Sequence, residues 1–270
     1  MKRVLKLLTA FLCFYVCLGI LLFLIQDNIV YHPQHIKTIT LDKTMPKLKT
    51  VTYYLPSGVR LHALYKPPRK GMKTVLYFHG NSQYAEYHAV RLKFLYNTNY
   101  GLLIPEYIGY GGIKGEPSQK SMEEVALTAV KYLNSTGTPN NKIVVYGHSI
   151  GTYPAVYVAT QSEKEFNGVI LEAPFLSAEQ VGRDMVKGLY PVSVLLKNKY
   201  PSDTIIQNIK TRLLVAHGKK DKVIPYYHGW ELYKLANQPK VFFSSDTAHH
   251  LNLLSLGFDT TVLEWIKEKK

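Results

Sequence analysis

The chain has 270 residues, 46% of them hydrophobic and 19% charged, which suits one large packed domain or two small ones and excludes a disordered chain. Both cysteines, Cys13 and Cys17, fall within the first thirty residues, so the remainder holds no disulfide, no cysteine nucleophile and no cysteine zinc ligand. The net charge of +14 is spread along the chain and into the Lys267, Lys269 and Lys270 tail, as on a solvated surface. Anionic lipid headgroups would attract such a surface. No zinc finger, helix-turn-helix or RNA-binding aromatic signature accompanies it, so nucleic acid is not an expected partner.

Leu7 to Ile25 is a run of nineteen uncharged residues preceded by Lys2, Arg3 and Lys6. A membrane-spanning helix needs about 20 apolar residues, whereas a cleaved signal peptide has an apolar core of roughly 7–15 followed by small residues. Here Leu21-Leu22-Phe23-Leu24-Ile25 runs directly into Gln26-Asp27-Asn28. Residues 1–26 are therefore expected to be an uncleaved anchor and 27–50 a juxtamembrane segment. Positive charge stays on the cytoplasmic side, which puts the N-terminus there and residues 51–270 on the opposite face.

Val51–Leu55 and Val59–Lys66 read as a hairpin around Pro56-Ser57-Gly58. Strand and helix patterns then alternate. Strand Thr74–Phe78 precedes a helix over Tyr84–Tyr96. Strand Gly101–Glu106 precedes a helix opening at Ser121, with Glu124 completing a capping box. Strand Ile143–Tyr146 precedes a helix over Ile150–Thr160. Val169–Glu172 and Arg212–Ala216 are further strands, the second followed by a helix over Tyr227–Ala236. Strand Val241–Phe243 and a closing helix over Thr260–Glu268 complete the domain. This alternation predicts an α/β fold with a mostly parallel central sheet and helices on both faces, whose sites form at the carboxyl ends of the strands. A cap fits only between Pro174 and Arg212, in about residues 174–210, so it should be small and the site open.

The motifs with chemical content lie at those strand ends. Lys142–Tyr146 leads into Gly147-His148-Ser149-Ile150-Gly151 and then a helix. This is a nucleophile elbow, a sharp turn that lifts the Ser149 hydroxyl above the sheet while the flanking glycines relieve crowding. A serine needs a base to take its proton, and the base needs an orienting acid, in the order serine, acid, histidine. Asp221 in His217-Gly-Lys-Lys-Asp221 is the acid candidate, with Glu172 as competitor. His249 and His250, past the last strand, are the candidates for the base. His79-Gly80-Asn81 follows the Thr74–Phe78 strand and offers the Asn81 backbone N–H. With that of Ile150 it would form an oxyanion hole. His79 and His148 are expected to be structural.

From about Val51 onward the chain resembles the α/β-hydrolase superfamily, and within it the anchored α/β-hydrolase-domain proteins that include protein depalmitoylases. The resemblance rests on Tyr77-Phe-His-Gly-Asn81, Glu106-Tyr-Ile-Gly-Tyr-Gly-Gly112, Gly147-His-Ser-Ile-Gly-Thr-Tyr-Pro-Ala155, Ala173-Pro-Phe175 and His217-Gly-x-x-Asp221. The family's Ala-x-His pattern, with Asn or Asp two residues on, favours His250 over His249. The resemblance implies a Ser149–His250–Asp221 triad hydrolysing an ester or thioester of an acyl lipid or acylated protein, without cofactor or metal. A peptidase of the same fold and a non-catalytic binding module are the rival expectations. Glu106 and Ile108 stand where the family has Asp and Arg, so an ion pair behind the oxyanion loop is not carried over.

Overall fold

The central apolar runs become strands because a sheet covered on both faces buries every side chain along them, as it does over Thr74–Phe78 and Ile143–His148. In a computed structural model, which describes residues 1–33 and 44–268, eight strands form one sheet. Residues 34–43 of the expected juxtamembrane segment, and Lys269 and Lys270 of the tail, lie outside the described residues. The strands are β1 (Lys49–Tyr54), β2 (Arg60–Lys66), β3 (Thr74–Phe78), β4 (Gly101–Pro105), β5 (Ile143–His148), β6 (Gly168–Glu172), β7 (Leu213–Gly218) and β8 (Lys240–Ser245). Their order is β1-β2-β4-β3-β5-β6-β7-β8. The β1–β2 hairpin pairs antiparallel with the β4 edge, and every pairing from β4 through β8 is parallel.

The alternation of side chains divides the interior into two cores. Leu76, Leu103, Val145, Val169 and Val215 face one; Val75, Leu102, Val144, Ile170 and Leu214 face the other. Helices α2 (Ala85–Arg91), α3 (Lys93–Tyr96) and, at the C-terminus, α10 (Phe258–Lys267) cover the second core. Helices α4 (Gln119–Ser135), α5 (Thr152–Gln161) and α9 (Tyr226–Leu235) cover the first. The expected helix over Tyr84–Tyr96 is interrupted at Leu92. The capping box also differs from expectation. α4 starts two residues before Ser121: Ser118 Oγ accepts from the Ser121 N–H while Ser121 Oγ accepts from the Ser118 N–H. Two serines three apart satisfy both orphan donors, so Glu124 is not needed.

Between β6 and β7 the chain forms a cap of short helices, α6 (Ala178–Val186), α7 (Val192–Leu195) and α8 (Ser202–Ile205). The N-terminal helix α1 (Lys2–Val30) is about 44 Å long at 1.5 Å per residue, long and apolar enough to cross a membrane. Only Gly19 and Gln26 along it are buried. It docks on the cap. The Gln26 amide donates to Leu195 O at 2.9 Å and accepts from the Lys197 N–H at 2.8 Å, and Lys197 pairs with Asp27 at 2.8 Å. Tyr15 stacks on Tyr190 with ring centres 4.5 Å apart.

Candidate active site

β5 occupies the middle of the parallel sheet, between β3 and β6, and its carboxyl end carries the elbow. Ser149 has φ +54°, the left-handed region, and a single 3-10 turn over Ser149–Gly151 leads into α5. Such a conformation costs a non-glycine residue about 1–2 kcal/mol, which the surrounding backbone must enforce. The enforcement is visible at the two glycines. A Cβ on Gly151 would lie 2.2 Å from Phe78 O, and one on Gly147 would lie 2.4 Å from Gly151 O. Only glycine lets the turn press against the end of β3. Thr152 Oγ1 closes the turn by donating to Ser149 O at 2.6 Å.

The residues expected around Ser149 converge on it from loops far along the chain. His250 Nε2 is 2.9 Å from Ser149 Oγ, and His250 Nδ1 is 2.7 Å from Asp221 Oδ2. An ionised carboxylate only accepts, so Nδ1 carries the proton and Nε2 is free to accept from the serine hydroxyl. Asp221 is fixed in turn: its Oδ1 accepts from the Val223 and Ile224 N–H groups at 2.8 and 2.9 Å. His217 Nε2 lies 3.3 Å from Asp221 Oδ2. Burial opposes ionisation of Asp221. The hydrogen bonds from His217, His250 and the backbone outweigh it and hold the carboxyl well below the usual range. Sequence reasoning did not assign His217 this part, although it begins the His-Gly-x-x-Asp stretch.

The competitors lie elsewhere. His249 is exposed, with Nδ1 2.9 Å from Lys220 O. Glu172 is wholly buried among Arg91 and Tyr146, whose hydroxyl donates to it at 2.6 Å. His148 makes no bond to Ser149. Its Nε2 is 3.4 Å from His250 O, and burial, reinforced by Arg91 and His250, pushes its pKa well below the ordinary imidazole value, so it stays neutral.

Glu106 does support the loop after β3: its Oε1 is 2.9 Å from His79 Nε2, and its Oε2 accepts from the Ala85 N–H at 2.9 Å. Tyr107 donates to His79 O at 3.0 Å and Tyr110 to Asn81 Oδ1 at 2.6 Å. The Glu106 carboxylate thus meets a histidine from the loop itself, a pairing invisible until β3 and β4 lie side by side.

Asn81 and Ile150 line the same cavity as Ser149 and His250, with a volume of about 900 Å³. Its other walls are mostly apolar, among them Val181 and Met185 of α6, Val192 of α7, and Leu22 and Ile29 of α1. Among the described residues no Asp, Glu, Lys or Arg lines it, and no cluster of His, Cys, Asp and Glu is arranged to hold a metal. The sequence predicts an open site under a small cap. Ser149 is 9% exposed at the end of the sheet, and Leu22, Gln26 and Ile29 of α1 add to the walls that the cap contributes.

The profile of the Hydrolase_4 family, described as serine aminopeptidase, S33, matches residues 69–203, half of the chain. The chain belongs to this α/β-hydrolase family. The hydrolase is 28% identical over 215 residues to the uncharacterised protein YfhR of Escherichia coli K12, covering 77% of this chain and 75% of that one. It is 32% identical over 172 residues to the α/β-hydrolase domain-containing protein aho-3 of Caenorhabditis elegans, covering 60% and 47%. Among solved structures, the Pyrococcus furiosus esterase Pf2001 shares the fold, with a TM-score of 0.71 at 20% identity over 89% of the hydrolase and 98% of the esterase.

Proposed function

We propose that the hydrolase cleaves carboxylic esters or thioesters through an acyl-enzyme on Ser149. The contact chain Ser149 Oγ–His250–Asp221 carries this reading. His250 Nε2 takes the hydroxyl proton as Ser149 Oγ attacks the carbonyl carbon, and the carbonyl electron pair moves onto oxygen. The Asn81 and Ile150 N–H groups receive that oxyanion, each such donor being worth about 10²–10³ in rate. Asp221 holds His250 in the tautomer that can accept and stabilises the imidazolium. The protonated His250 then delivers its proton to the departing alcohol or thiol. Water, deprotonated by the same histidine, attacks the acyl carbon and releases the carboxylic acid, restoring Ser149. A fluorophosphonate should label the folded protein at Ser149 and leave Ser149→Ala unlabelled; folded wild type that resists labelling would sink the proposal.

A peptidase reading is favoured by the description of the matching family. An aminopeptidase must hold the substrate's α-ammonium, and the described cavity offers no carboxylate to do so. We therefore expect p-nitrophenyl esters to be hydrolysed far faster than aminoacyl p-nitroanilides. An acyl lipid or an acylated protein fits the mostly apolar walls. We further propose that α1 holds the enzyme in a membrane, with Lys2, Arg3 and Lys6 on the cytoplasmic side and the hydrolase domain opposite. Protease protection in sealed vesicles reads that orientation. A non-catalytic binding module would keep its biological activity in Ser149→Ala, and we expect that activity to be lost.

A further inference from the structure

The stripe of α1 that touches the cap continues as the stripe that lines the catalytic cavity. Tyr15, Gly19, Leu22, Gln26 and Ile29 recur at steps of three and four, which places them on one face of a helix. At the upper end of this face Tyr15 Oη donates to Leu189 O at 2.7 Å, and a Cβ placed on Gly19 would lie 3.4 Å from the Tyr190 ring, so helix and cap are packed side by side there. At the lower end Leu22, Gln26 and Ile29 face the space above Ser149 and His250. The other sides of α1, at Leu12, Phe14 and Leu24, are exposed.

Tyr15 and Gly19 lie inside the uncharged stretch Leu7–Ile25. Whatever medium surrounds that stretch also surrounds the cap residues docked on it. In a bilayer this places Leu189 and Tyr190 below the headgroups. It also gives hydrocarbon neighbours to Met185, Leu189 and Val194, which are 70%, 68% and 77% exposed and would be unfavourable in water. The cavity then has its chemistry at the sheet end and its apolar walls within the leaflet.

We infer, resting on the hydrolase reading above, that α1 and the cap together form an acyl channel from the leaflet to Ser149, and that its occupant is the chain of a long-acyl lipid ester resident in the membrane. Leu22 and Ile29 are then specificity-determining residues, and Gln26 a positioning residue that latches the helix to the cap. Such a substrate reaches Ser149 without its chain crossing water, in keeping with walls that hold no Asp, Glu, Lys or Arg among the described residues.

The full chain is reconstituted in phosphatidylcholine vesicles carrying a fluorogenic long-chain glycerolipid ester, with soluble p-nitrophenyl butyrate as the second substrate. Leu22→Trp and Ile29→Trp, which fill the channel, should each lower the ratio of long-chain to butyrate kcat/KM by about tenfold. Leu24→Trp, on the outward face, should leave both rates unchanged. Fluorophosphonate labelling of Ser149 reports that each variant is folded. An unchanged ratio in labelled Leu22→Trp and Ile29→Trp overturns the channel. Cleavage of an S-acylated peptide in the same vesicles with no turnover of the lipid ester overturns the lipid assignment. A wild type that is neither labelled nor active on butyrate removes the hydrolase reading itself, a separate failure.

Discussion

The floor of the cavity and its far wall are built in different ways. At the floor, Ser149 sits on a turn whose shape follows from residues within three positions of it: Gly147, Gly151 and Thr152 admit the left-handed φ of +54° and press the turn onto β3. At the far wall, Gln26 meets Leu195 and Lys197 across about 170 positions of chain, through hydrogen bonds that neither segment could form alone. A site fixed by local steric fit tolerates almost no substitution at its glycines. A wall fixed by latches can shift, so changes there should alter which substrate is accepted before they abolish turnover.

The largest expected effect is at the floor. Asp221→Asn leaves the shape of the loop but lets Nδ1 of His250 lose its acceptor, and kcat for ester hydrolysis should fall by about 10³–10⁴. A fall of less than tenfold would mean that Asp221 does not orient the base. Gly151→Ala comes next. Its new methyl meets Phe78 O, and we expect a loss of about 3 kcal/mol in denaturant unfolding together with the loss of activity. Gln26→Leu tests the wall: it strands the Leu195 carbonyl and the Lys197 N–H, costing about 2 kcal/mol. We expect the loss to appear as faster proteolysis of the cap around 186–200, with fluorophosphonate labelling at Ser149 retained.

The smallest effect belongs to Glu86, whose carboxyl is buried beside the oxyanion loop without a partner from another residue. Burial, with the nearby Glu106 adding to it, pushes its pKa up from 4.5 to about 7. The folded protein therefore keeps a proton that the unfolded chain has released. Stability from this group is highest below pH 4.5, falls as the pH rises toward 7, and is level above that. Glu86→Gln should match wild type at pH 4 and exceed it at pH 8 by about 1 kcal/mol, a figure reduced for partial solvation. Equal stability at both pH values would place the carboxyl in water.

The elbow, the two strand-end loops and the alternation of strand and helix could all be read from the chain, because each depends on residue types at short, fixed spacing. The choice between His249 and His250 depended on a family pattern. Only folding gave it a physical basis, by setting His250 against Asp221 and Ser149 while His249 turned to Lys220. Glu106 could not be paired with His79 from sequence, since the two lie on adjacent strand ends that meet only in the sheet. The same holds for the first thirty residues. Their length and hydropathy determine a helix fit to cross a membrane, but a uniformly apolar stretch carries no sign of which face will pack. That face was decided by the tertiary structure, where Tyr15, Gly19 and Gln26 meet the cap and turn the helix into a wall of the cavity.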